Sequence, residues 1–303
     1  MHSETIRGLG LVEELRSDWR RAVAAVSERR VAQGRALYTK RSRRSCTGCP
    51  GAASASVTPG RRADSERSSP PPAPASQVIM LCRMYLMRTQ TALGAAAVLL
   101  LAAAVYIGLF ASPPDAFQGQ YVRIMYAHVP NAWVAYLAFA ITFAASALYL
   151  WKRRPAYDHV AHSATELGVL FTGLALLTGS IWGRPVWGTW WTWDARLVTT
   201  AMLFLIYTAA LLVRGLSDDP LRGARLAAVI GIVGFLDVPI IHYSVAWFRT
   251  LHQPASIAPG SLKIAPPMLL ALMLSLLAFT VFFMYLLRLR TNLARLEAGG
   301  EMR

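Results

Sequence analysis

Charged residues are scarce in this chain of 303 residues. Only 16% are Asp, Glu, Lys or Arg, whereas soluble globular domains usually carry about a quarter. Apolar residues make up 55%, and the mean hydropathy is +0.39. This shortage of charge, together with long uncharged runs, excludes an ordinary soluble domain and indicates that the chain lies in a lipid bilayer.

Cysteine is also rare. Cys46 and Cys49 form a single C-x-x-C pair, and Cys82 stands alone. A structural zinc site needs four ligands, and no second pair lies nearby. Covalent haem attachment requires His directly after the second cysteine, a position held here by Pro50. The cysteines therefore predict neither a zinc site nor a c-type cytochrome.

Acidic residues are few relative to basic ones, 16 against 31, which gives a net charge of +15. Such an excess is typical of nucleic-acid binding or of the cytoplasmic loops of membrane proteins. Most of the basic residues flank apolar runs, and no module of basic and aromatic residues is visible there. The pattern therefore favours contact with membrane lipid and predicts no nucleic-acid partner.

The first 79 residues differ in composition from the rest. They are rich in Arg, Ser, Ala and Pro, and this composition buries too little apolar surface to offset chain entropy. We expect residues 1–79 to form a disordered cytosolic extension before a membrane domain over residues 80–303. Translation from Met80, Met84 or Met87 would leave a complete membrane domain, so the extension is also interpreted as a start-site artefact.

Six apolar runs follow, and most approach the roughly 20 residues that a membrane-spanning helix needs. Helices are required because lipid offers no hydrogen-bond partners to free backbone groups. The fold class predicted is an all-α membrane protein with six transmembrane helices and a tryptophan-rich external loop. The six runs are Ala92–Phe110, Ala132–Trp151, Leu167–Trp182, Leu197–Val213, Leu226–Phe248 and Met268–Leu287.

Basic residues near the ends of these runs predict the orientation. One side carries eleven of them and the other five. The positive-inside rule then places both termini in the cytoplasm and the loops 111–131, 183–196 and 249–267 outside. The richer side holds Arg83, Arg88, Lys152, Arg153, Arg154, Arg214, Arg222, Arg225, Arg288, Arg290 and Arg295; the poorer side holds Arg123, Arg184, Arg196, Arg249 and Lys263.

Tryptophan is concentrated in the second external loop, residues 182–196. A belt of tryptophans at the membrane interface explains one or two such residues. It explains five poorly, and Gly183, Pro185 and Gly188 are expected to interrupt the helix and let the chain form a platform. We therefore predict a site for a large flat ligand. The five residues are Trp182, Trp187, Trp190, Trp191 and Trp193.

The other two external loops each contain a histidine, His128 and His252. Haem iron accepts two axial ligands, and neutral imidazole is a good one. Taken singly, each histidine is more typical of a capping or interfacial residue, but with the tryptophans they predict an axial pair. Arg196 is a candidate partner for a haem propionate, and Asp194 is expected to orient a donor or stabilise the turn.

Four further polar residues are interpreted as structural. Asp237 and His242 lie within the fifth run, where charged groups are often functional, but they do not share a helix face. His162 and Glu166 share a face near the third run without a third ligand. We predict that this second pair forms a solvated helix start.

Three separate segments together resemble the CcmC family, also called haem exporter protein C. They read WGRPVWGTWWTWDARL, YAHVP and PIIHYSVAWFRTLHQP. The first resembles the WWD domain of haem-handling proteins in cytochrome c maturation, although Val198 stands where the family usually has Thr. The resemblance covers roughly residues 92–287. It implies that His128 and His252 are the axial ligands, that residues 182–194 hold the porphyrin, and that Arg196 lies near it.

The resemblance also implies a function. Such a protein binds haem b at the periplasmic face of the bacterial inner membrane and presents it to the haem chaperone CcmE. The implied assembly includes the small subunit CcmD and the ABC-type components CcmA and CcmB, and no conventional enzyme activity is expected. Three alternatives stay open: a WWD-type haem lyase acting directly on apocytochrome c, a permease-type transporter subunit, and a structural subunit with an aromatic belt.

Overall fold

A computed structural model describes residues 75–252, 257–258, 261–262 and 264–300. The Cys46–Cys49 pair and nearly all of the predicted extension lie outside these residues. Residues 73–295 form one compact unit.

The described chain is almost wholly helical. Six segments are long and apolar enough to cross a membrane, which confirms the six predicted spans. A π-helix over Ile107–Ala111 ends the first span, and a 3-10 helix over Gln120–Ile124 begins the second. The helices are α1 (Ala75–Tyr106), α2 (Met125–Lys152), α3 (Pro155–Trp187), α4 (Ala195–Leu216), α5 (Pro220–Gly234), α6 (Asp237–Trp247) and α7 (Pro266–Gly300). Two two-residue strands, Ile257–Ala258 and Ser261–Leu262, pair antiparallel.

The main core lies between α2, α3, α4, α6 and α7. Phe139 of α2 stacks on Tyr207 of α4 with ring centroids 3.8 Å apart, and both side chains are fully buried. Gly168 makes this approach possible, because a Cβ there would lie only 2.5 Å from the Phe139 ring. The Tyr207 hydroxyl donates to the carbonyl of Gly231 at 2.9 Å, which satisfies its polar group inside the bundle.

The fifth span is split into α5 and α6. Helix α5 ends at Gly234, where a Cβ would lie 2.8 Å from Ile206, and α6 begins at Asp237. The break therefore precedes Pro239, which lies in the first turn of α6, where a missing backbone N–H costs no helical hydrogen bond. The split sets the direction of α6 and of the segment that follows it.

The start of α3 carries a network of ion pairs. Arg214 of α4 donates to both oxygens of Asp158 at 2.6 and 2.7 Å, and Arg290 of α7 donates to both oxygens of Glu166 at 2.5 and 2.8 Å. His162 lies 3.4 Å from Glu166. The predicted solvated helix start holds only in part: the side chains of His162 and Glu166 are 24% and 27% exposed, and Glu166 is paired with Arg290 of a distant helix.

Candidate functional site

The tryptophan-rich segment begins as helix and not as a loop. Helix α3 continues through Gly183 and Pro185 to Trp187, so the expectation that both residues would interrupt it was wrong. The helix stops at Gly188, which takes a left-handed conformation with φ of 79° and donates to the carbonyl of Arg184 at 3.0 Å. The Arg184 guanidinium in turn donates to the Gly188 carbonyl. Only residues 188–194 form a connecting loop.

The five tryptophans therefore fall into two groups. Trp182 and Trp187 project from the last two turns of α3, and the other three lie in the loop. Trp190 and Trp193 are 59% and 85% exposed, whereas Trp191 is half-buried and meets the Trp193 ring edge-on at 5.8 Å. Half-buried and exposed indoles together present a broad aromatic surface at this end of the bundle.

His128 lies in the first turn of α2 and not, as predicted, in the loop before that helix. Its Nδ1 is 3.0 Å from the Ala175 carbonyl and 3.2 Å from the Thr178 hydroxyl, so it carries the proton and donates to α3. Gly179 leaves space for the ring, because a Cβ there would lie 3.0 Å from His128 Cε1. Trp182 meets the imidazole edge-on at 5.7 Å.

His252 follows α6 and reaches the same helix. Its ring lies 4.8 Å from that of Trp187, edge-on, and its Nδ1 lies 3.2 Å from Oδ2 of Asp194. Burial lowers the pKa of His252 despite the opposing effect of this carboxylate. The imidazole is therefore neutral at pH 7, with Nδ1 donating to Asp194.

Asp194 holds His252 from a fixed position. It is the N-cap of α4, and its Oδ1 accepts from the backbone N–H of Leu197 at 2.9 Å. The Thr192 hydroxyl donates to Oδ2 at 3.2 Å. With its side chain only 7% exposed, this carboxylate has little freedom to move.

The two histidines thus share one arrangement. Both contact the last turns of α3 and so lie at the same end of the bundle. Both engage Nδ1 with a hydrogen-bond acceptor, which leaves the Nε2 lone pair available to a metal ion. The arrangement can supply two neutral nitrogen ligands beside a set of indoles.

Several buried polar atoms at this end have no hydrogen-bond partner within the described residues, among them Nε of Arg196, Nε of Arg123 and Nε1 of Trp191. The rest of the Arg196 guanidinium is held in place, because Nη2 donates to the backbone carbonyl of His242 at 3.2 Å. An orphaned cationic donor in a partly buried setting suits a carboxylate ligand.

The remaining polar candidates do not meet the histidines. The His242 side chain is exposed, and only its backbone carbonyl contacts Arg196. Asp237 is half-buried, and its Oδ2 has no partner in the described part of the chain. Arg123 donates to the carbonyl of Ser112 at 3.3 Å, which anchors the preceding loop.

Sequence reasoning missed three residues that shape the site. Gln118 accepts the indole N–H of Trp182 at 2.9 Å, and Thr178 and Gly179 support and accommodate His128. The α3 residues carry a signal, because Thr178 and Trp182 are one turn apart and share a helix face. Gln118 carries none, since it lies in an irregular loop.

Residues 76–302 match the family model described as CcmC, heme exporter protein C. The heme exporter protein C of Bradyrhizobium diazoefficiens is 44% identical over 206 residues, which cover 67% of this chain and 78% of that protein. The heme exporter protein C of Haemophilus influenzae is 39% identical over 205 residues, 67% of this chain and 82% of that protein. A putative cytochrome c biosynthesis ccmC-like mitochondrial protein of Arabidopsis thaliana is 39% identical over 194 residues, 64% and 73% of the two chains.

Proposed function

Because this chain belongs to the CcmC family of heme exporter proteins, we propose that it binds haem b through His128 and His252 and presents it to the haem chaperone CcmE. The observation that carries the proposal is the pair of neutral imidazoles, each with Nδ1 engaged and Nε2 available, against the same helix end. Haem iron takes one such ligand on each face.

The residues around the histidines suit the rest of the haem molecule. The indoles of Trp182, Trp187 and Trp191 offer apolar surface to a porphyrin, and the exposed Trp190 and Trp193 extend that surface outward. Arg196 supplies an unsatisfied donor for a propionate. Haem brings the redox and electrophilic chemistry; this chain binds the ring, orients it and leaves an edge accessible.

The surplus of basic residues on one side of the spans supports an orientation. We place the histidines and tryptophans at the periplasmic face of the bacterial inner membrane and both termini in the cytoplasm. Ordered indoles at a membrane–water boundary agree with that placement, because the ring is apolar and the N–H stays wet. Haem held there is accessible to a chaperone outside the membrane.

The same family membership supports the partners. We propose that the chain works with the small subunit CcmD and the ABC-type components CcmA and CcmB. Its contribution in this proposal is to position haem. Transfer to the chaperone would then depend on the axial ligands and on the exposed edge of the porphyrin.

Titration of the detergent-purified, haem-free protein with hemin tests the proposal. We expect an intense Soret band that falls strongly in His128→Ala and in His252→Ala and disappears in the double variant. His159→Ala is the matched control, because His159 lies at the other end of α3. A full Soret band in the double variant would refute the assignment of the axial ligands.

The second measurement is the transfer of haem to the chaperone. Hemin-loaded protein is mixed with purified CcmE, and the covalent haem–CcmE adduct is followed with time. We expect the adduct from the wild type and the His159→Ala control and none from the double variant. Unaltered transfer from the double variant would contradict the mechanism, and attachment to apocytochrome c without CcmE would support the haem lyase alternative instead.

A further inference from the structure

We propose that Asp194 is a positioning residue that makes His252 the stronger of two unequal axial ligands, so that the His128 side of the iron opens first. This inference rests on the proposed function, because it concerns the same two histidines. It goes beyond that function by assigning a separate role to each histidine and a further role to the Asp194 carboxylate.

The two imidazoles differ in what accepts their Nδ1 proton. His252 donates to a carboxylate, Oδ2 of Asp194, at 3.2 Å, whereas His128 donates to the neutral Ala175 carbonyl and Thr178 hydroxyl. A carboxylate partner draws the Nδ1 proton more strongly and raises the electron density at Nε2. His252 therefore binds ferric iron more tightly than His128 does.

The carboxylate is positioned for this task by the start of α4. Its Oδ1 caps the helix through Leu197 N–H, and Thr192 and His252 both donate to Oδ2. Three donors and slight exposure keep the negative charge in place. Together with the edge-on contact of the Trp187 ring at 4.8 Å, Asp194 also fixes the orientation of the imidazole.

The acceptors of His128 cannot act in this way. The Ala175 carbonyl belongs to the backbone of α3, and the Thr178 hydroxyl donates to the Leu174 carbonyl at 2.7 Å. These neutral groups select the Nδ1–H tautomer but add no charge to the ring. When an incoming ligand competes for iron, the weaker Nε2 donor leaves, and that donor is His128.

Asp194→Asn tests the inference, because Asn caps helices as well as Asp, but it removes the charge and replaces the Oδ2 acceptor that faces His252 with an NH2 donor. Asp219→Asn is the matched control: Asp219 caps α5 through Leu221 N–H at 2.9 Å and has no histidine beside it. Each substitution is made in the wild type, in His128→Ala and in His252→Ala. Hemin affinity and the midpoint potential of the bound iron are measured for each protein.

We expect Asp194→Asn to weaken hemin binding about tenfold in the His128→Ala background, where only His252 remains, and to leave it unchanged in His252→Ala. Because an electron-rich imidazole stabilises ferric more than ferrous iron, this loss falls mainly on the ferric state, and the midpoint potential should rise by up to about 59 mV for the one-electron couple. Imidazole added to the wild type should give the spectrum of a mixed His252–imidazole complex. The Asp219→Asn control should match its parent throughout.

Two results would overturn the inference. The first is an equal effect of Asp194→Asn in both histidine backgrounds, and the second is an unchanged midpoint potential. Either result, with a normal wild-type Soret band, refutes the inequality of the ligands and leaves the proposed function standing. A wild type that gives no Soret band with hemin refutes the proposed function together with this inference.

Discussion

The two ends of α3 are built in opposite ways. At its start, the acidic side chains Asp158 and Glu166 each receive two hydrogen bonds from an arginine of another helix. At its end, an arginine and a tryptophan hold buried polar atoms that have no partner among the residues described. At the start, the charged side chains are paired, although Nδ1 of His162 and Oγ of Ser163 have no partner among the described residues; at the end, the unpartnered atoms include a cationic N–H donor.

This difference predicts that the start of α3 contributes to stability and its end to ligand binding. Closed ion pairs tie α3 to α4 and α7, and the guanidinium and carboxylate groups that form them are already paired with one another. Open donors beside exposed indoles cost some stability in the empty protein and are recovered when a ligand supplies acceptors. Substitutions at the start of α3 should therefore affect unfolding, and substitutions at its end should affect haem affinity.

The largest effect is expected from Asp158→Ala. Removing one partner leaves the Arg214 guanidinium without its bidentate acceptor in a partly buried place, which should destabilise the protein by about 3 kcal/mol. The loss of stability is measured by monitoring unfolding in detergent through tryptophan fluorescence. Hemin affinity of the folded fraction should stay at the wild-type value. The exchanged pair Asp158→Arg with Arg214→Asp should regain part of the stability; a haem-binding loss without unfolding would contradict the comparison.

Arg196→Gln should lower hemin affinity more than it lowers stability. Loss of a charged hydrogen bond to a propionate is worth about 2 kcal/mol, or roughly thirtyfold in hemin affinity. Stability of the haem-free protein should fall by no more than about 1 kcal/mol, because the substitution removes only the hydrogen bond from Nη2 to the His242 carbonyl. Arg249→Gln, an exposed arginine of the same end, is the control. Equal losses in the two variants would indicate a general effect of charge.

A smaller effect is expected from Gly179→Ala. The added Cβ lies 3.0 Å from Cε1 of His128 and pushes the imidazole by a few tenths of an ångström. Crowding of this kind costs about 1 kcal/mol, which should appear as weaker hemin binding through His128. In Gly215→Ala the added Cβ meets no atom within 4 Å, so the hemin titration curve should stay unchanged. A normal affinity in Gly179→Ala would show that the ring has room to shift.

The smallest effect is expected from Gln118→Ala. It removes one neutral hydrogen bond to the Trp182 indole, worth about 1 kcal/mol. Because Trp182 touches His128 edge-on, the freed indole should broaden the Soret band more than it lowers affinity. Resonance Raman spectra of the hemin-loaded variant and of Gln120→Ala, a neighbour in the same segment, make the comparison. Identical spectra would show that Trp182 keeps its position without Gln118.

The spans could be predicted from the sequence because their signal is local. Six apolar runs and the need to satisfy every backbone group in lipid lead directly to six helices. The path through Gly183 and Pro185 could not be predicted in this way, since both residues usually interrupt helices. There the last turn of α3 is held by Gly188 and Arg184, and that capping depends on the three-dimensional path of the chain.

The site was predictable in its residue types but not in its hydrogen bonds. The tryptophans and the two histidines stand out as an unusual cluster at the ends of predicted spans. The partner of each Nδ1 is far away in sequence: His252 meets Asp194, and His128 meets Ala175. The same is true of Asp158 and Arg214. Pairs of this kind depend on helix packing, which a single sequence does not reveal.

Asp194 both caps α4 and holds His252. These two roles link the geometry of the proposed site to the order in which the spans enter the membrane. The carboxylate is oriented by the first turn of α4, so a nascent chain whose fourth span has not yet wound presents no fixed acceptor to His252. His252 itself emerges only after the fifth span. It follows that this half of the proposed binding site matures late in biosynthesis, when most of the bundle is already in the bilayer.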